Sequence, residues 1–475
     1  MDSTMRDGVV DAAARYLYGY LEATEDLDAL CLRSSSEMRG IAADAVARCI
    51  ERFDGDFRAS APRSWSVRGR PARTVVTTMG AVTYRRTLYS DEYGRNRYPA
   101  DELLGIPRRA RFSSDAFLWI LRRVSTVSFR RAAADFEALS GVRVSAMCVW
   151  RMVQREGGLI REAAASAPPG TVSQDRVFVE SDGIFLALQS PGRRAEAIDR
   201  FLYEQGRSKR SFEMKCGAVY AGKAAVGKRA VRGNVSLVAT CGGRDEFWGA
   251  VRGAIGADYA VGDIAEIRAA SDGGGWCRDH GLEGVGTAAV TATLDSFHVM
   301  QAIWRAFPEG RGRDWLVSLA LRRRPEALAD ACARMLPRVR GPRRERVRAL
   351  ERYVRGGADL IRNAGNLGTM EATNAYVWAK RMKSFGCSWS RRGAESMALL
   401  LCRTCAGKPP VPQPKDAFFD EGQLRRERAA VARRGAEAAR RTTSGSGWEP
   451  PRGRYVLEKA PGRYLPNSFV GVFVR

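Results

Sequence analysis

Apolar residues recur at helical spacing over residues 8–53 (Val9, Ala12, Ala13, Tyr16 and Leu17, then Ile41, Ala45, Val46 and Ile50). This predicts a helical N-terminal element ending in the Pro/Arg/Ser-rich stretch Ala61–Arg73. The period then falls to two. Over Arg73–Tyr89, β-branched and aromatic residues flank Met79-Gly80, which predicts a β-hairpin with Arg85 or Arg86 on its solvent face. From Ser114 to Gly157 three helical segments follow, with Ser128 and Ser145 as N-caps and Gly141 as a stop, the spacing of a helix-turn-helix. In the last of them Val149, Met152 and Val153 form an apolar stripe. Arg151, Gln154 and Arg155 are left toward solvent, where they could reach a DNA groove; a plain three-helix bundle has the same pattern.

Gly170–Phe297 changes character. Val177–Leu188, Phe212–Tyr220 and Val235–Cys241 read as three successive strands, then Arg244–Ile255 as a helix and Ala265–Ser271 as a strand. Trp276–Gly281 reads as a short helical turn, Ala288–Leu294 as a strand and Val299–Phe307 as a helix. Three consecutive strands can pair as a meander and the later ones need crossovers, so the expected α/β fold has a mixed sheet with helices on its faces. Arg305–Asn363 interrupts it as an almost wholly helical, basic segment. Helices at Met370–Met382 and Gly393–Cys402 precede the Pro-rich Lys408–Pro414, the basic Gln423–Arg441 and an end, Arg454–Arg475, with no clear chemistry. The expected parts are 1–65 (helical), 66–108 (hairpin and linker), 109–165 (helix-turn-helix-like, DNA-binding), 170–304 with 364–402 (catalytic), 305–363 (helical insertion) and 403–475 (basic linker and tail).

Composition narrows the partner. The 475 residues are 45% hydrophobic and carry a formal charge of +25, which points to a polyanion, nucleic acid before membrane. With only nine lysines, 69 of the 78 basic residues are arginine, whose planar fork grips phosphate bidentately; a coding bias toward arginine would give the same count. No run of about 18 apolar residues occurs and the N-terminus lacks a basic region followed by an apolar stretch, so neither export nor a membrane span is expected. Ten cysteines without a repeating spacing fit the reduced thiols of a cytoplasmic protein, and Cys402-Arg-Thr-Cys405 is a lone pair on a helix.

In so basic a chain, carboxylates inside apolar runs are informative, because burying an ionised group is costly unless a partner such as a metal offsets it. Asp182 stands mid-strand beside Gly183, which would leave room for a ligand, and Glu180 shares its face. Asp272 follows a strand and opens the loop DGGGW, at the carboxyl end of that strand, where α/β proteins bind ligands. Glu371 begins the helix MEATNAYVWAKRMK, with Asn374 and Trp378 on its face and Arg381 near it, where Arg381 could meet a DNA phosphate. Three such carboxylates are what a two-metal phosphoryl-transfer site needs.

The strand order and these acids resemble the RNase H-like fold of DDE transposases. The strings VESDG (Val179–Gly183), SDGGGW (Ser271–Trp276) and LDSFH (Leu294–His298), with Glu371, Arg381, Met382, Trp389, Ser390 and Gly393, resemble the ISLre-type insertion-sequence transposases, relatives of the Mutator-like group. RTVVTTMGAVTYRR and YPADELLGI resemble that family too, so the likeness spans roughly Arg73 to Leu400; Ser271 replaces the commoner glycine before the second acid. The resemblance implies that Asp182, Asp272 and Glu371 are catalytic and hold two Mg²⁺ (or Mn²⁺) ions. It implies cleavage of element ends in double-stranded DNA, strand transfer to target DNA, and a homo-oligomer working on the bacterial nucleoid. Asp295 and His298 match its D-x-x-H pattern and, with Trp276, are expected accessories; a zinc site from Cys277, His280, Asp295 and His298 is conceivable. Arg322, Arg323 and Arg324 are assigned to DNA, and Leu316, Leu319, Leu321, Leu328, Met335 and Leu336 to packing. The rival readings are a non-catalytic DNA-binding protein and another RNase H-like nuclease.

Overall fold

The computed structural model describes residues 3–21, 26–189, 211–226, 229–278, 281–363, 369–384 and 386–411, with Arg426, Ala429, Ala430 and Arg433. The expected basic tail and the end of the chain lie almost wholly outside these residues. Among the described residues no helix is long and apolar enough to cross a membrane. The described residues divide into two compact units, one within 1–48, 71–85 and 105–416, the other within 49–70 and 86–104. Helices α1 (Ser3–Tyr18) and α2 (Leu27–Arg58) open the chain where the apolar period predicted helix.

The smaller unit is built on β1 (Ser66–Gly69), β4 (Leu88–Ser90), β5 (Asn96–Arg97) and the short helix α3 (Pro99–Leu103), with Phe57, Tyr89 and Leu103 as its core. The predicted hairpin is shorter than expected. Its strands, β2 (Ala72–Thr77) and β3 (Gly80–Arg85), meet with Thr77 opposite Gly80, whose φ of 129° suits only glycine. Leu88–Ser90 pairs with β1 instead. The buried Asp54 carboxylate accepts from the Thr87 N–H (3.0 Å) and hydroxyl (2.6 Å), and so fixes the chain where it turns toward that second sheet.

In the larger unit, α4 (Ser114–Val124), α5 (Phe129–Ser140) and α6 (Ala146–Ala165) follow as predicted. Ser128 and Ser145 cap them by accepting backbone N–H groups, and Gly141 stops α5 in the left-handed region. The main sheet holds β6 (Arg176–Ala187), β7 (Ser211–Tyr220), β10 (Ser236–Thr240), β11 (Glu266–Ser271) and β12 (Ala289–Leu294) in the order β10-β7-β6-β11-β12. The first three form an antiparallel meander, and β6, β11 and β12 run parallel. Sequence reading missed the side hairpin of β8 (Gly222–Val226) and β9 (Arg229–Gly233), which lacks the apolar alternation of a half-buried strand.

Side-chain alternation on β6 splits the core in two. Val177 and Val179 face α7 (Arg244–Asp258), while Ile184 and Leu186 face a core shared with α4–α6 and α16 (Arg391–Cys405). The stripe Val149, Met152 and Val153 lies in that shared core, so the three-helix bundle is a layer over the sheet rather than a body with its own core. A Cβ on Gly157 of α6 would strike Ser396 of α16, which shows how closely the two helices pack. The short helix α8 (Gly275–Arg278) lies between β11 and β12. Beyond β12 come α9 (Ser296–Ala306), α10 (Arg311–Leu321), α11 (Pro325–Met335), α12 (Gly341–Gly356) and α13 (Ala358–Arg362), around a third core that includes Leu316 and Leu328. Leu319, Met335 and Leu336 pack against it; Leu321, expected to do the same, is 65% exposed because α10 ends there and the chain turns.

Candidate active site

On β6 the parity that turns Ile184 and Leu186 inward also turns Glu180 and Asp182 to that face, both buried. Asp182 Oδ1 accepts from the Gly183 N–H (2.7 Å) and Oδ2 from Asn374 Nδ2 (2.7 Å). Glu180 is the anchor of the segment carrying Glu371. It accepts from the Thr369 N–H (2.8 Å), the Thr369 hydroxyl (2.7 Å) and the Tyr220 hydroxyl (2.5 Å). Thr369 immediately precedes α14 (Met370–Thr373), so two carboxylates on one strand face position one distant helix.

Asp272 follows β11, where the parallel register places the carboxyl ends of β11 and β12 side by side. Gly273 takes φ +79°, and the Gly274 N–H donates to Asp272 Oδ1 (2.8 Å); this tight turn is the work of the DGGGW glycines. The Tyr353 hydroxyl of α12 donates to the Asp272 carbonyl (2.9 Å), tying the loop to the helical insertion. Asp295 caps α9 by accepting from the Phe297 N–H (2.9 Å), so it sets the start of the helix. His298, one turn on, lines a cleft with Asp272.

Glu371 is exposed in the first turn of α14, and the helix does not continue as one period. Asn374–Ala379 is π-helical before α15 (Lys380–Met382) resumes. The wider turn puts Asn374 and Trp378 inside, away from Glu371, whereas an unbroken α-helix would have kept all three on one face. Asn374 Oδ1 is buried and, among the described residues, has no hydrogen-bond partner. Sequence reading placed Asn374 only as a companion of Glu371; its contact with Asp182 depends on the π-turn.

Asp182, Asp272, His298 and Glu371 share one electrostatic neighbourhood. Burial pushes the Asp182 carboxyl up to about 6, the charges of Asp272 and Glu371 push the same way, and His298 and the Gly183 N–H oppose them. Among the described residues, no three His, Cys, Asp or Glu side chains stand close enough together to grip an ion. The groups nonetheless fit a hard divalent cation. All three candidate ligands are carboxylates, an added positive charge would relieve their repulsion, and the orphaned Asn374 oxygen faces no donor. Of the zinc alternative, His280 lies outside the described residues, and burial with the nearby Asp272 charge raises the Cys277 thiol.

Four expectations need correction. Arg381 is buried, not offered to DNA: its Nε donates to the Val124 carbonyl (2.8 Å) and its guanidinium lies over Phe129 and Trp389. Gln154 turns inward, its Oε1 accepting from Ser396 Oγ (3.2 Å), because α16 packs over that side of α6. Gly183 makes room for the Glu213 carboxylate on the opposite sheet face, not for a ligand. Trp276 belongs to that same face, where its indole donates to Glu213 (3.0 Å) and packs edge-on against Phe247. Arg151, Arg155, Arg322, Arg323 and Arg324 are exposed.

Comparison with known proteins places the chain in a family. The chain is similar over 395 residues, at 22% identity, to a Streptococcus gallolyticus protein described as "UPF0236 protein in vanSb 3'region", covering 80% of this chain and 83% of that one. A family model described as "Uncharacterised protein family (UPF0236)" matches residues 25–409, the stretch that holds Asp182, Asp272, the insertion and Glu371, and the chain belongs to that family.

Proposed function

We propose that this chain is a divalent-metal-dependent DDE transposase of the RNase H-like, ISLre type, which cuts the ends of an insertion element in double-stranded DNA and joins them to target DNA. The observation that carries the reading is that Asp182, Asp272 and Glu371, from three distant stretches of chain, lie near enough for the charges of Asp272 and Glu371 to add to the burial that raises the Asp182 carboxyl. The strand order, a three-strand meander followed by two parallel strands with acids on the first and after the fourth, supports it. Bound at Asp182, Asp272 and Glu371, two Mg²⁺ or Mn²⁺ ions would supply the positive charge that polarises a scissile phosphate and makes water acidic enough to attack.

The chain's own part is positioning. Gly183 and Asn374 hold Asp182 by both oxygens, Gly274 holds Asp272, and Glu180 holds Thr369 so that the helix of Glu371 starts beside β6. The exposed Arg151, Arg155 and Arg322–Arg324 would meet DNA phosphates, and a homo-oligomer would handle two ends together. One observation favours a non-catalytic DNA-binding protein instead: Glu371 is exposed and the described residues hold no ready three-ligand group. The two readings part on Asp272→Asn, assayed for nicking of element-end DNA with Mg²⁺ or Mn²⁺ beside a gel shift. Lost nicking with retained binding is expected; equal nicking by variant and parent removes Asp272 from the site.

A further inference from the structure

A cleft of about 670 Å³ opens from Asp272 between α9 and α12. Its floor is apolar, made by Ala302, Leu350 and the ring of Tyr353, and its rim carries His298, Arg305 and Arg346. Both arginines are exposed, and among the described residues neither has an ion pair, although paired arginines are common elsewhere in the insertion, as Arg355 with Glu351 and Arg362 with Glu326 show. The Tyr353 hydroxyl is committed to the Asp272 carbonyl, so its ring is fixed at the mouth nearest that acid.

We infer that this cleft binds an unpaired stretch of nucleic-acid strand, one or two nucleotides long, leading to Asp272. The inference rests on the reading of the site as one that acts on DNA. An apolar floor with an aromatic face takes a base by stacking, and two unpaired guanidinium groups on the rim take the flanking phosphates. The volume lies within the roughly 300–1,000 Å³ usual for a small organic ligand, far too small for a turn of duplex. The cleft thus assigns Arg305 and Arg346 to the strand entering the site, separately from the arginines that meet duplex on outer surfaces.

The test measures fluorescence anisotropy of labelled oligothymidylate, and of a blunt duplex, over a salt series. It compares the full chain with Arg305→Gln/Arg346→Gln and with Arg338→Gln/Arg340→Gln, two exposed arginines of the same insertion outside the cleft. For single strands each lost phosphate contact lowers the slope of log K against log[salt] by about 0.7, so the cleft variant should lose about 1.4 with oligothymidylate and far less with duplex. The control pair should not show this difference. Equal loss on both probes, or an unchanged slope with oligothymidylate, overturns the assignment. If oligothymidylate depends on the two arginines but Asp272→Asn still nicks normally, the cleft stands and the catalytic reading falls. If nicking depends on Asp272 and the parent chain ignores oligothymidylate, the reverse holds.

Discussion

Asp182 combines burial with a charge that the fold itself makes unfavourable. Its carboxyl stands at about 6 against an ordinary 3.8, so the folded chain holds this proton more tightly than the unfolded one. The resulting stability is fully present below 3.8 and is lost as pH rises through about 6, up to about 3 kcal/mol as a ceiling. Asp182→Asn stays neutral throughout, and a flip of the Asn374 amide lets the new side-chain nitrogen donate to Asn374 Oδ1. In urea unfolding with a chelator present, its stability relative to the parent should rise by about 1–1.5 kcal/mol between about pH 5 and pH 7.5, the rest of the ceiling being lost below about pH 5. Mg²⁺ should then stabilise the parent and not the variant; a gap that does not change with pH contradicts the picture. Asp182 was legible in the sequence because a carboxylate inside an apolar strand is conspicuous. Its partner Asn374 was not, because no residue pattern announces a π-turn, and Glu180 was read only as a neighbour because its bonds to Thr369 cross most of the sheet domain's sequence.

At the scale of elements, the same π-turn separates Arg381 from the DNA-facing place that its sequence position suggests. Counted along an unbroken helix it falls near the Glu371 face, and the wider turn shifts it inward, against Phe129 and Trp389. Arg381→Ala should therefore destabilise the chain by about 2–4 kcal/mol, through the lost bond to Val124 and the lost stacking, and leave DNA affinity of the folded protein unchanged. Chemical unfolding and a gel shift on the same sample check both halves. The Arg322, Arg323 and Arg324 segment should behave oppositely. These three are exposed at the turn between α10 and α11, so their replacement by Ala should leave the unfolding temperature nearly unchanged while weakening duplex binding and strand transfer. An unfolded triple variant whose folded fraction still binds DNA would make these arginines structural. Among the elements, caps and strands were readable where the signal is local, as at Ser128, Ser145, Gly141 and the five sheet strands. The side of Gln154 and the sharing of one core by bundle and sheet were not, because both depend on which helix lies opposite, a choice made by segments far apart in sequence.

For the molecule as a whole, the basic charge and the arginine excess named a polyanionic partner without saying where it binds, whereas the fold separates outer arginines from the pair at the Asp272 cleft. The central claim is that Asp182, Asp272 and Glu371, carried by two strands and a helix beyond a helical insertion, act as one unit in cutting DNA. Groups that act together lose activity non-additively. The direct measurement is the Mg²⁺-dependent nicking rate of Asp182→Asn, Asp272→Asn, Glu371→Gln and the triple variant, each checked to be folded and to bind DNA. The expected result is that every single variant falls by roughly 10³-fold or more, and that the triple variant falls little further. Normal nicking by Glu371→Gln, or losses that multiply from one variant to the next, would show that the three carboxylates do not form one site.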